Sequence, residues 1–391
     1  MVYYHDDAIN RLDNEIRRQQ SYYESIFDSL MDMVRVIDRN NVVKMINKSM
    51  AQKLGNITGR KCYEIMGCKG VCANCISDRA IRFKKSFSKI EVLNGRYYSI
   101  ISSPIYDYAG RVEAAVEVFR DITKEKKLHD KLLKQNQIMQ RDIHYAGKIQ
   151  KSFLPTVYPN NEKVSFYGKF IPCQRVGGDL YDVFKLGKYH IGMLVADVAG
   201  HGVAAAMVAV FLKETLRSII NCERLGNEGV TALKPSDILN TLSRRFDGVD
   251  LDDESYITVL YGVLDLRNNT LTMANAGHNC LPILYNDYVV KNLLVKGPPI
   301  SRYLDSYPYE DSKFHLNKGD NILLYTDGLI ETRNTDNPLY FYGEERLINT
   351  IKNNSRLRGK DMIDAILKDV EAHCPQHMRN DDIAMLTINM L

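Results

Sequence analysis

Polar and apolar residues alternate over two short stretches near the N-terminus, residues 34–38 and 42–47. This alternation predicts two β-strands joined by the turn Arg39-Asn40-Asn41. Short helical patterns follow over residues 47–55 and 59–67, and alternation then returns. The strands of this second group are predicted over residues 86–95, 96–107 and 110–123. The pattern therefore predicts a small mixed domain of two strands, short helices and three strands.

A helical pattern fills residues 121–153, where seam positions recur at alternating intervals of three and four residues. This is the heptad spacing of a helix that pairs with a second helix. Two polar residues, Gln135 and Asp142, interrupt the seam and predict a weak contact between helices. The seam comprises Leu128, Leu132, Gln135, Met139, Asp142, Ala146, Ile149 and Phe153. Two alternatives follow: a homodimer through this helix, or a solvated connector that packs on its own domain.

The remaining chain, from about residue 164, shows strand and helix patterns in blocks. Strand patterns cover residues 164–170 and 189–197, and a long helix is predicted to about Asn221. Another helix is predicted near residues 235–246, before strands over 256–266 and 270–277. Such blocks favour sheets packed face to face with helices outside. We therefore predict an α+β fold whose C-terminal part is an α-β-β-α sandwich.

The composition of the chain argues against several classes of protein. The chain has 391 residues, 45% of them hydrophobic, and no apolar run near the roughly 18 residues that span a membrane. A net charge of +4, from 52 Lys and Arg against 48 Asp and Glu, does not indicate a nucleic-acid-binding face. The N-terminus does not resemble a signal peptide. We expect a cytoplasmic protein that binds neither membrane nor nucleic acid.

Half of the eight cysteines lie within one short stretch of the predicted N-terminal domain. In a reducing compartment they are expected to be thiols or metal ligands and not disulfides. Four thiolates could bind zinc or an iron-sulfur cluster, although only the last pair has the two-residue spacing typical of metal knuckles. A thiol redox switch and free thiols are the alternatives. The four residues are Cys62, Cys68, Cys72 and Cys75.

Aspartates stand where apolar strand patterns meet turns or small residues. They are Asp179, Asp197 and Asp327, together with the adjacent Asp381 and Asp382. One such aspartate is commonly a turn former, but several clustered carboxylates repel one another unless a cation lies among them. Oxygen ligands without a nearby Cys or His pair favour Mg²⁺ or Mn²⁺. Two such ions can lower the pKa of a shared water and orient it toward phosphorus, which predicts phosphate-ester hydrolysis.

The N-terminal pattern resembles a PAS sensor domain. The resemblance rests on the order of strands and helices, on residues 47–55 and on the ending Asp121-Ile122-Thr123. The expected organisation is an N-terminal helix over residues 1–28 and a PAS domain over 29–123. A helical linker over 124–155 then leads into a catalytic domain over 156–391.

The C-terminal part is similar to the metal-dependent serine/threonine phosphatase (PPM) family. The ordered motifs VGGDLYD, VADVAGHG, MANAGH, LLYTDGLIE and NDDIAMLTI carry the resemblance, over residues 146–391. The match is to the bacterial branch of sporulation and general-stress regulators. It implies hydrolysis of phosphoserine or phosphothreonine on a regulatory protein, with a phosphorylated STAS-type anti-anti-sigma factor as the expected partner.

The resemblance also implies roles for individual residues. Asp179, Asp197, Asp327 and Asp381 would be the catalytic metal ligands for two Mn²⁺ or Mg²⁺ ions, with the backbone carbonyl of Val198 as a further ligand. Asp382 is the alternative to Asp381, since adjacent aspartates cannot be separated by sequence. The other accessory candidates are Gly178, His201 and His278. Either histidine could protonate the leaving oxygen, or could simply hold its loop in place.

Other functions remain as alternatives. The turn GGDLYD superficially resembles that of diguanylate cyclases, but a cyclase explains none of the later aspartates. A sensor histidine kinase could use His144, yet its asparagine-bearing helix and second Gly-rich box are not visible. A catalytically silent binding module is the third alternative. For the phosphatase, we hypothesise that linker geometry controls the metal site, because the loops of Asp179 and Asp197 are expected to abut the linker's C-terminal end.

Overall fold

The structure is a computed structural model, and it describes most of the chain. The described residues are 3–67, 69–200, 202–226, 234–246, 256–301, 307–335, 337, 339–374 and 381–391. They form two compact units, Met1–Gln137 and Ile138–Leu391. No helix in these ranges is long and apolar enough to cross a membrane.

The N-terminal unit contains the predicted two-plus-three strand arrangement. Helix α1 (Tyr3–Ser29) precedes an antiparallel sheet of five strands in the order β2-β1-β5-β4-β3. The strands are β1 (Met33–Asp38), β2 (Val43–Ile46), β3 (Phe87–Leu93), β4 (Arg96–Tyr106) and β5 (Val112–Asp121). Between β2 and β3 lie α2 (Lys48–Leu54), α3 (Cys62–Ile65) and α4 (Ile76–Phe83). Helix α4 had no counterpart among the sequence predictions.

Buried Asn47 determines how the chain turns from β2 into α2. Its side chain caps the helix by accepting a hydrogen bond from the amide of Met50 at 3.0 Å. The same oxygen accepts from the Val34 amide at 2.9 Å, and its amide group donates to the carbonyls of Leu30 and Asp32. One side chain thus satisfies backbone groups in three segments. This explains why residues 47–55 show a recognisable pattern in the sequence.

The predicted heptad helix is one continuous element, α5 (Thr123–Phe153), of 31 residues. Four of its seam residues expose roughly half or more of their surface: Leu128, Leu132, Met139 and Ile149. The polar seam residues Gln135 and Asp142 are exposed as well. Homodimerisation through this seam stays a prediction.

The C-terminal unit is built on two antiparallel sheets. The first has the order β14-β10-β9-β8-β7, with β13 paired to β9, and the second has the order β12-β11-β15-β16-β6. The strands are β6 (Val164–Ile171), β7 (Leu180–Lys185), β8 (His190–Val198), β9 (Tyr256–Asp265), β10 (Thr270–Ala276), β11 (Ile283–Tyr285), β12 (Val290–Asn292), β13 (Ile300–Ser301), β14 (Ser312–His315), β15 (Asn321–Tyr325) and β16 (Ile383–Met390).

Helices cover the outer face of each sheet and complete the predicted α-β-β-α sandwich. Helices α6 (Val203–Gly226) and α7 (Pro235–Phe246) pack on the first sheet, and α8 (Glu344–Asn353) and α9 (Gly359–His373) pack on the second. A third apolar core fills the space between the sheets. Strand β8 contributes to two cores, with Leu194 facing the helices and Val195 facing the other sheet. Burial on both faces explains its nearly continuous apolar sequence.

Candidate metal centre

The four predicted ligand aspartates lie at the ends of strands in the two facing sheets. Asp179 directly precedes β7, and Asp197 is the penultimate residue of the neighbouring β8. In the other sheet, Asp327 begins the 3₁₀ turn Asp327–Leu329 shortly after β15, and Asp381 lies just before the adjacent β16. A side-chain hydrogen bond joins the two sheets at this edge. The hydroxyl of Thr326 donates to Oδ2 of Asp179 at 2.6 Å.

Burial and like charge dominate the electrostatics of the centre. Asp179 is 3% exposed, and its burial, followed by the charge of Asp197, raises its pKa well above the usual value. Burial also raises the pKa of Asp197 to about 7, with further increases from the charges of Asp327 and Asp381. Mutual repulsion of this kind is relieved by protons or by a bound cation. The four carboxylates therefore act on one another as a single cluster.

The donor set fits a hard divalent cation, although the carboxylates are not closed around a common point. No group of three or more His, Cys, Asp or Glu side chains in the described ranges is arranged to hold a metal ion. Asp179 lies close enough to Asp197 for the charge of Asp197 to raise its pKa. Cys173 lies near Asp382, but burial raises the pKa of its thiol to about 11, so it is a poor ligand. Oxygen atoms thus dominate the site, as Mg²⁺ and Mn²⁺ require.

The structure separates the adjacent aspartates Asp381 and Asp382. Asp382 is 2% exposed, and its two carboxylate oxygens accept hydrogen bonds from the amides of Cys173 at 2.8 Å and Gly178 at 2.7 Å. Asp381 is exposed, and one of its oxygens accepts from the Asp382 amide at 2.8 Å. Asp382 therefore holds the loop that carries Asp179, which favours Asp381 as the ligand.

Glycines allow this close packing around Asp382. A Cβ on Gly177 would lie 2.0 Å from Oδ2 of Asp382, and one on Gly328 would lie 1.9 Å from its carbonyl oxygen. A Cβ on Gly178 would lie 2.7 Å from the carbonyl oxygen of Val198, the predicted backbone ligand. The Gly-Gly and Asp-Gly pairs of the motifs therefore leave room for backbone and carboxylate groups next to the centre.

The structure describes only one of the two candidate histidines. His201 lies outside the described residues. His278 is 3% exposed, and its Nε2 lies 2.8 Å from the carbonyl oxygen of Tyr325, so this nitrogen donates. Its Nδ1 lies 3.3 Å from the hydroxyl of Thr258. Burial lowers the pKa of His278. These contacts favour the loop-holding role over proton donation.

Sequence reasoning missed several polar neighbours of the centre. Thr326 contacts Asp179, the amide group of Asn279 donates to Oδ2 of Asp327 at 3.3 Å, and the Thr258 hydroxyl donates to the carbonyl of Asp197 at 3.3 Å. Thr326 directly precedes Asp327 in the motif YTDG, so its position beside an aspartate was the available signal. Thr258 carries no such signal, because the pairing of β9 with β8 places it opposite Asp197. Asn279 directly follows the motif MANAGH, and its position there was the available signal.

The C-terminal end of α5 packs against the loop that leads to Asp179, as the linker hypothesis expects. The side chain of Gln150 accepts a hydrogen bond from the Gly177 amide at 3.1 Å and donates to the Gly177 carbonyl at 2.5 Å. Helix residue Gly147 lies so close to this loop that a Cβ would be 2.4 Å from the carbonyl oxygen of Arg175. Only Gly178 separates Gly177 from Asp179, so α5 contacts the loop directly before a predicted metal ligand.

A buried charge network ties the same helix end to α6. Lys213 of α6 donates to the carbonyl of Phe153, the last residue of α5, and forms an ion pair of 2.9 Å with Asp182. Arg217 also pairs with Asp182, at 3.1 Å. Asp182 and Lys213 are 1% and 3% exposed, so the loss of Asp182 would leave the buried charge of Lys213 unpaired.

Comparisons with known proteins find a match for each of the two parts of the chain. Residues 187–391 match the family model "Stage II sporulation protein E (SpoIIE)", and residues 27–127 match the PAS fold. The chain belongs to the SpoIIE family. Its SpoIIE match covers Asp197, Asp327 and Asp381 and begins after Asp179. The predicted resemblance to bacterial PPM-type phosphatases with an N-terminal PAS domain is confirmed.

Two curated relatives of this SpoIIE-family chain are 27% and 28% identical to it over 63% of its length. It is 28% identical over 251 residues to "Phosphoserine phosphatase RsbU" of Bacillus subtilis, which covers 63% of this chain and 71% of RsbU. It is 27% identical over 264 residues to "Protein IcfG" of Synechocystis sp., covering 63% of this chain and 41% of IcfG. The chain thus matches less than half of the length of IcfG.

A solved structure supports the same fold. The SiaA-PP2C domain of Pseudomonas aeruginosa aligns with a TM-score of 0.57 and 19% identity, over 66% of this chain and 99% of that domain. At this identity the likeness concerns the fold. The PP2C-like sandwich of the SpoIIE-family region is therefore supported by both sequence and structure.

The cysteines of the N-terminal unit are only partly described. Cys68 lies outside the described residues, Cys62 is buried, and Cys72 and Cys75 are half-buried. Burial raises the pKa of the Cys62 thiol to about 11, which disfavours the thiolate that a metal requires. The described cysteines do not form a metal-holding group with one another. Zinc or an iron-sulfur cluster at this position stays a prediction.

Proposed function

We propose that this chain is a metal-dependent protein phosphatase that hydrolyses phosphoserine or phosphothreonine on a regulatory protein. The observation that carries the proposal is the carboxylate cluster at one edge of the two sheets, where Asp179 precedes β7 and Asp197 lies near the end of the paired strand β8. The SpoIIE family match and the PP2C-like fold support the same activity.

The proposed ligands are Asp179, Asp197, Asp327 and Asp381, with the carbonyl of Val198. Bound Mn²⁺ or Mg²⁺ would supply a water of lowered pKa and positive charge to offset that of the phosphate. Asp179 and Asp197 would bind and orient these ions from the first sheet, and Asp327 and Asp381 from the second. Thr326 would fix the rotamer of Asp179 through its 2.6 Å hydrogen bond.

For the partner, we propose a phosphorylated STAS-type anti-anti-sigma protein. Support comes from the motif resemblance to the general-stress branch and from the similarity to a protein named phosphoserine phosphatase RsbU. We also propose that the chain acts in the cytoplasm as a homodimer through α5. We further propose an N-terminal helix, a PAS domain, a helical linker and a phosphatase domain, with the limits 1–28, 29–123, 124–155 and 156–391.

Hydrolysis of p-nitrophenyl phosphate by the full chain, with Mn²⁺ or with EDTA, tests the activity. Metal-dependent release of nitrophenol supports it. The partner is tested separately, by phosphate release from a phosphoserine-containing STAS protein against the same protein carrying phosphohistidine or phosphotyrosine. If the chain cleaves p-nitrophenyl phosphate but leaves the phosphoserine form intact, the activity stands and the partner assignment is wrong. A catalytically silent module would cleave neither substrate.

A further inference from the structure

Two cysteines of the N-terminal unit, Cys72 and Cys75, have no role in the proposed phosphatase centre. The sequence left a metal site, a redox switch and unreactive thiols as alternatives for the cluster to which they belong. Two residues separate them, which is the C-x-x-C spacing of dithiols that interconvert with a disulfide. Both cysteines are half-buried, and the two residues between them are exposed. Small reagents in solution therefore have access to this pair.

The backbone brings the two cysteines close together. Ala73 and Asn74 form a turn, so Cys72 and Cys75 are the first and fourth residues of that turn. The Cα atoms at these positions of a β-turn lie less than about 7 Å apart, and a disulfide needs a separation of about 4.4–6.8 Å. Nη1 of Arg79 in α4 donates to the side-chain oxygen of Asn74 at 3.2 Å and ties the turn to the helix. A disulfide between the two cysteines therefore requires little backbone movement.

Cys75 lies where a helix begins. It is the N-cap residue of α4, and its Sγ accepts a hydrogen bond from the amide of Asp78 at 3.5 Å. Backbone donors at the N-terminus of a helix favour negatively charged groups, and the thiolate is the form of cysteine that attacks a disulfide. We therefore expect Cys75 to be the sulfur that reacts first.

Cys62 lies near the pair but in a different environment. It is 5% exposed and belongs to the apolar core of the N-terminal unit. Burial raises the pKa of its thiol to about 11, and the charges of Cys75 and Cys72 contribute further increases. A buried thiol in apolar surroundings is a poor nucleophile. Of the three described cysteines in the cluster, Cys72 and Cys75 are thus the two that combine proximity with access.

We propose that Cys72 and Cys75 form a reversible disulfide by exchange with low-molecular-weight disulfides. The Cys75 thiolate attacks one sulfur of such a molecule, which breaks its S–S bond, forms a mixed disulfide at Cys75 and releases one thiolate. The Cys72 thiolate then attacks Sγ of Cys75, forms the internal disulfide and releases the second thiolate. The two cysteines lose two electrons and two protons, and the small disulfide becomes two thiols. Excess small thiol reverses both steps.

Equilibration of the full chain in glutathione buffers tests the proposal. Remaining thiols are blocked with iodoacetamide, and the linked peptides are mapped by mass spectrometry. Exposed Cys222, in the other unit, is the internal reference for simple glutathionylation. Two sulfurs in one turn react at a high effective concentration, so the Cys72–Cys75 disulfide should occur in at least about ten times as many molecules as glutathionylated Cys222. Dithiothreitol should remove it. Glutathionylated Cys222 without this disulfide, or linkage of the pair to Cys62 or Cys68, would overturn the proposal.

Single serine variants test the order of the two steps. In Cys72→Ser the second attack is removed, so glutathione should accumulate on Cys75 at least about tenfold above its level in the wild type. Cys222→Ser is the matched control, and its Cys72–Cys75 disulfide should form as in the wild type. Equal glutathionylation of Cys75 in the wild type and in Cys72→Ser would show that Cys72 does not resolve the mixed disulfide.

Metal analysis separates the disulfide from a metal site at the same cysteines. Zinc and iron are measured in the full-length wild type and in Cys72→Ser, both purified with a reductant. We expect the same content of each metal in the two proteins. Zinc or iron that is present in the wild type and lost in Cys72→Ser would overturn the proposal, because thiolates bound to a metal are not available for exchange.

Discussion

The amide of Gly178 donates a hydrogen bond of 2.7 Å to Oδ2 of Asp382, and this contact links the loop of Asp179 to the start of β16. The second oxygen of Asp382 accepts from the Cys173 amide in the same loop. The segment before β7 is thus fixed by a carboxylate from the opposite sheet. Two adjacent aspartates therefore have different tasks, with Asp382 holding the loop and Asp381 left as the proposed metal ligand.

We predict different consequences for Asp382→Asn and Asp381→Asn. Asparagine at 382 offers one acceptor oxygen for two backbone donors, so the free energy of unfolding of the metal-free protein should fall by about 1–3 kcal/mol. Asparagine at exposed position 381 should change it by less than about 0.5 kcal/mol, yet weaken Mn²⁺ binding at least about tenfold. Urea unfolding with EDTA and calorimetric Mn²⁺ titration measure the two effects.

Each variant serves as the control for the other. The division of roles would be wrong if Asp381→Asn destabilised the metal-free protein as much as Asp382→Asn does. It would also be wrong if Mn²⁺ affinity were retained in Asp381→Asn and lost in a stably folded Asp382→Asn.

Much of the fold was predictable because its signals are local. The heptad spacing of residues 121–153 gave the single helix α5, and the helix predicted near residues 235–246 is α7, with the same limits. Asn47 marked the start of α2 because a capping side chain acts within one turn. The sequences of α8 and α9 show no comparable start signal, and these two helices were not predicted.

The site was predictable in kind but not in detail. Strand-end aspartates identify a carboxylate cluster, yet Asp381 and Asp382 are equivalent in sequence. What separates them is a contact across more than 200 positions, between Asp382 and Gly178, and no local pattern records it. Likewise, no local pattern records the contact between Arg35 and Glu117, which meet only because β1 pairs with β5.

Gly147→Ala tests whether the end of α5 supports the metal centre. Within a helix, alanine normally stabilises by about 1 kcal/mol relative to glycine. Here the new Cβ would lie 2.4 Å from the Arg175 carbonyl oxygen, so we expect the opposite sign, a loss of about 1–3 kcal/mol, together with lower phosphatase activity. Thermal unfolding and p-nitrophenyl phosphate turnover measure these effects.

Gly70→Ala is the control for that substitution. A Cβ on Gly70 meets no atom within 4 Å, and its backbone does not adopt a positive φ. Stability and turnover should therefore stay at the wild-type level. A Gly147→Ala protein that behaves like Gly70→Ala would show that the helix end is not in tight contact with the loop.

The seam of α5 gives a third prediction. The double substitution Gln135→Leu and Asp142→Leu makes the heptad stripe apolar and should raise the dimer fraction and change turnover in the absence of a signal. Sedimentation and p-nitrophenyl phosphate hydrolysis measure these effects. Lys134→Leu with Arg141→Leu is the matched control, since both are exposed and lie off the seam at the same seven-residue spacing. Unchanged dimerisation and turnover in the seam variant would count against linker control.

The contact between α8 and α9 predicts a pH-dependent stability. Hydrogen bonds from Arg346, and then from Tyr342 and Thr350, lower the pKa of Asp369 to about 2 from the usual 3.8. A lowered carboxyl pKa stabilises the fold above about pH 4, and this contribution disappears as the pH falls toward 2. Asp369→Asn should therefore cost about 1–3 kcal/mol at pH 6 and less at pH 3.

Urea unfolding of wild type and Asp369→Asn at the two pH values measures this difference. Asp311→Asn provides a control, since Asp311 accepts one backbone hydrogen bond from Ser236 and is not paired with an arginine in the described ranges. Equal costs for Asp369→Asn at pH 6 and pH 3 would mean that the charge of Asp369 contributes nothing to the contact.

The central claim is that the carboxylate cluster is a metal-dependent phosphatase centre, and one comparison tests it most directly. Turnover of p-nitrophenyl phosphate is measured for the full-length wild type and Asp197→Asn over a Mn²⁺ titration, with EDTA as the zero point. We predict activity that requires Mn²⁺, vanishes in EDTA and is lost in a folded Asp197→Asn protein. Turnover that persists in EDTA, or equal turnover in wild type and Asp197→Asn, would contradict the account.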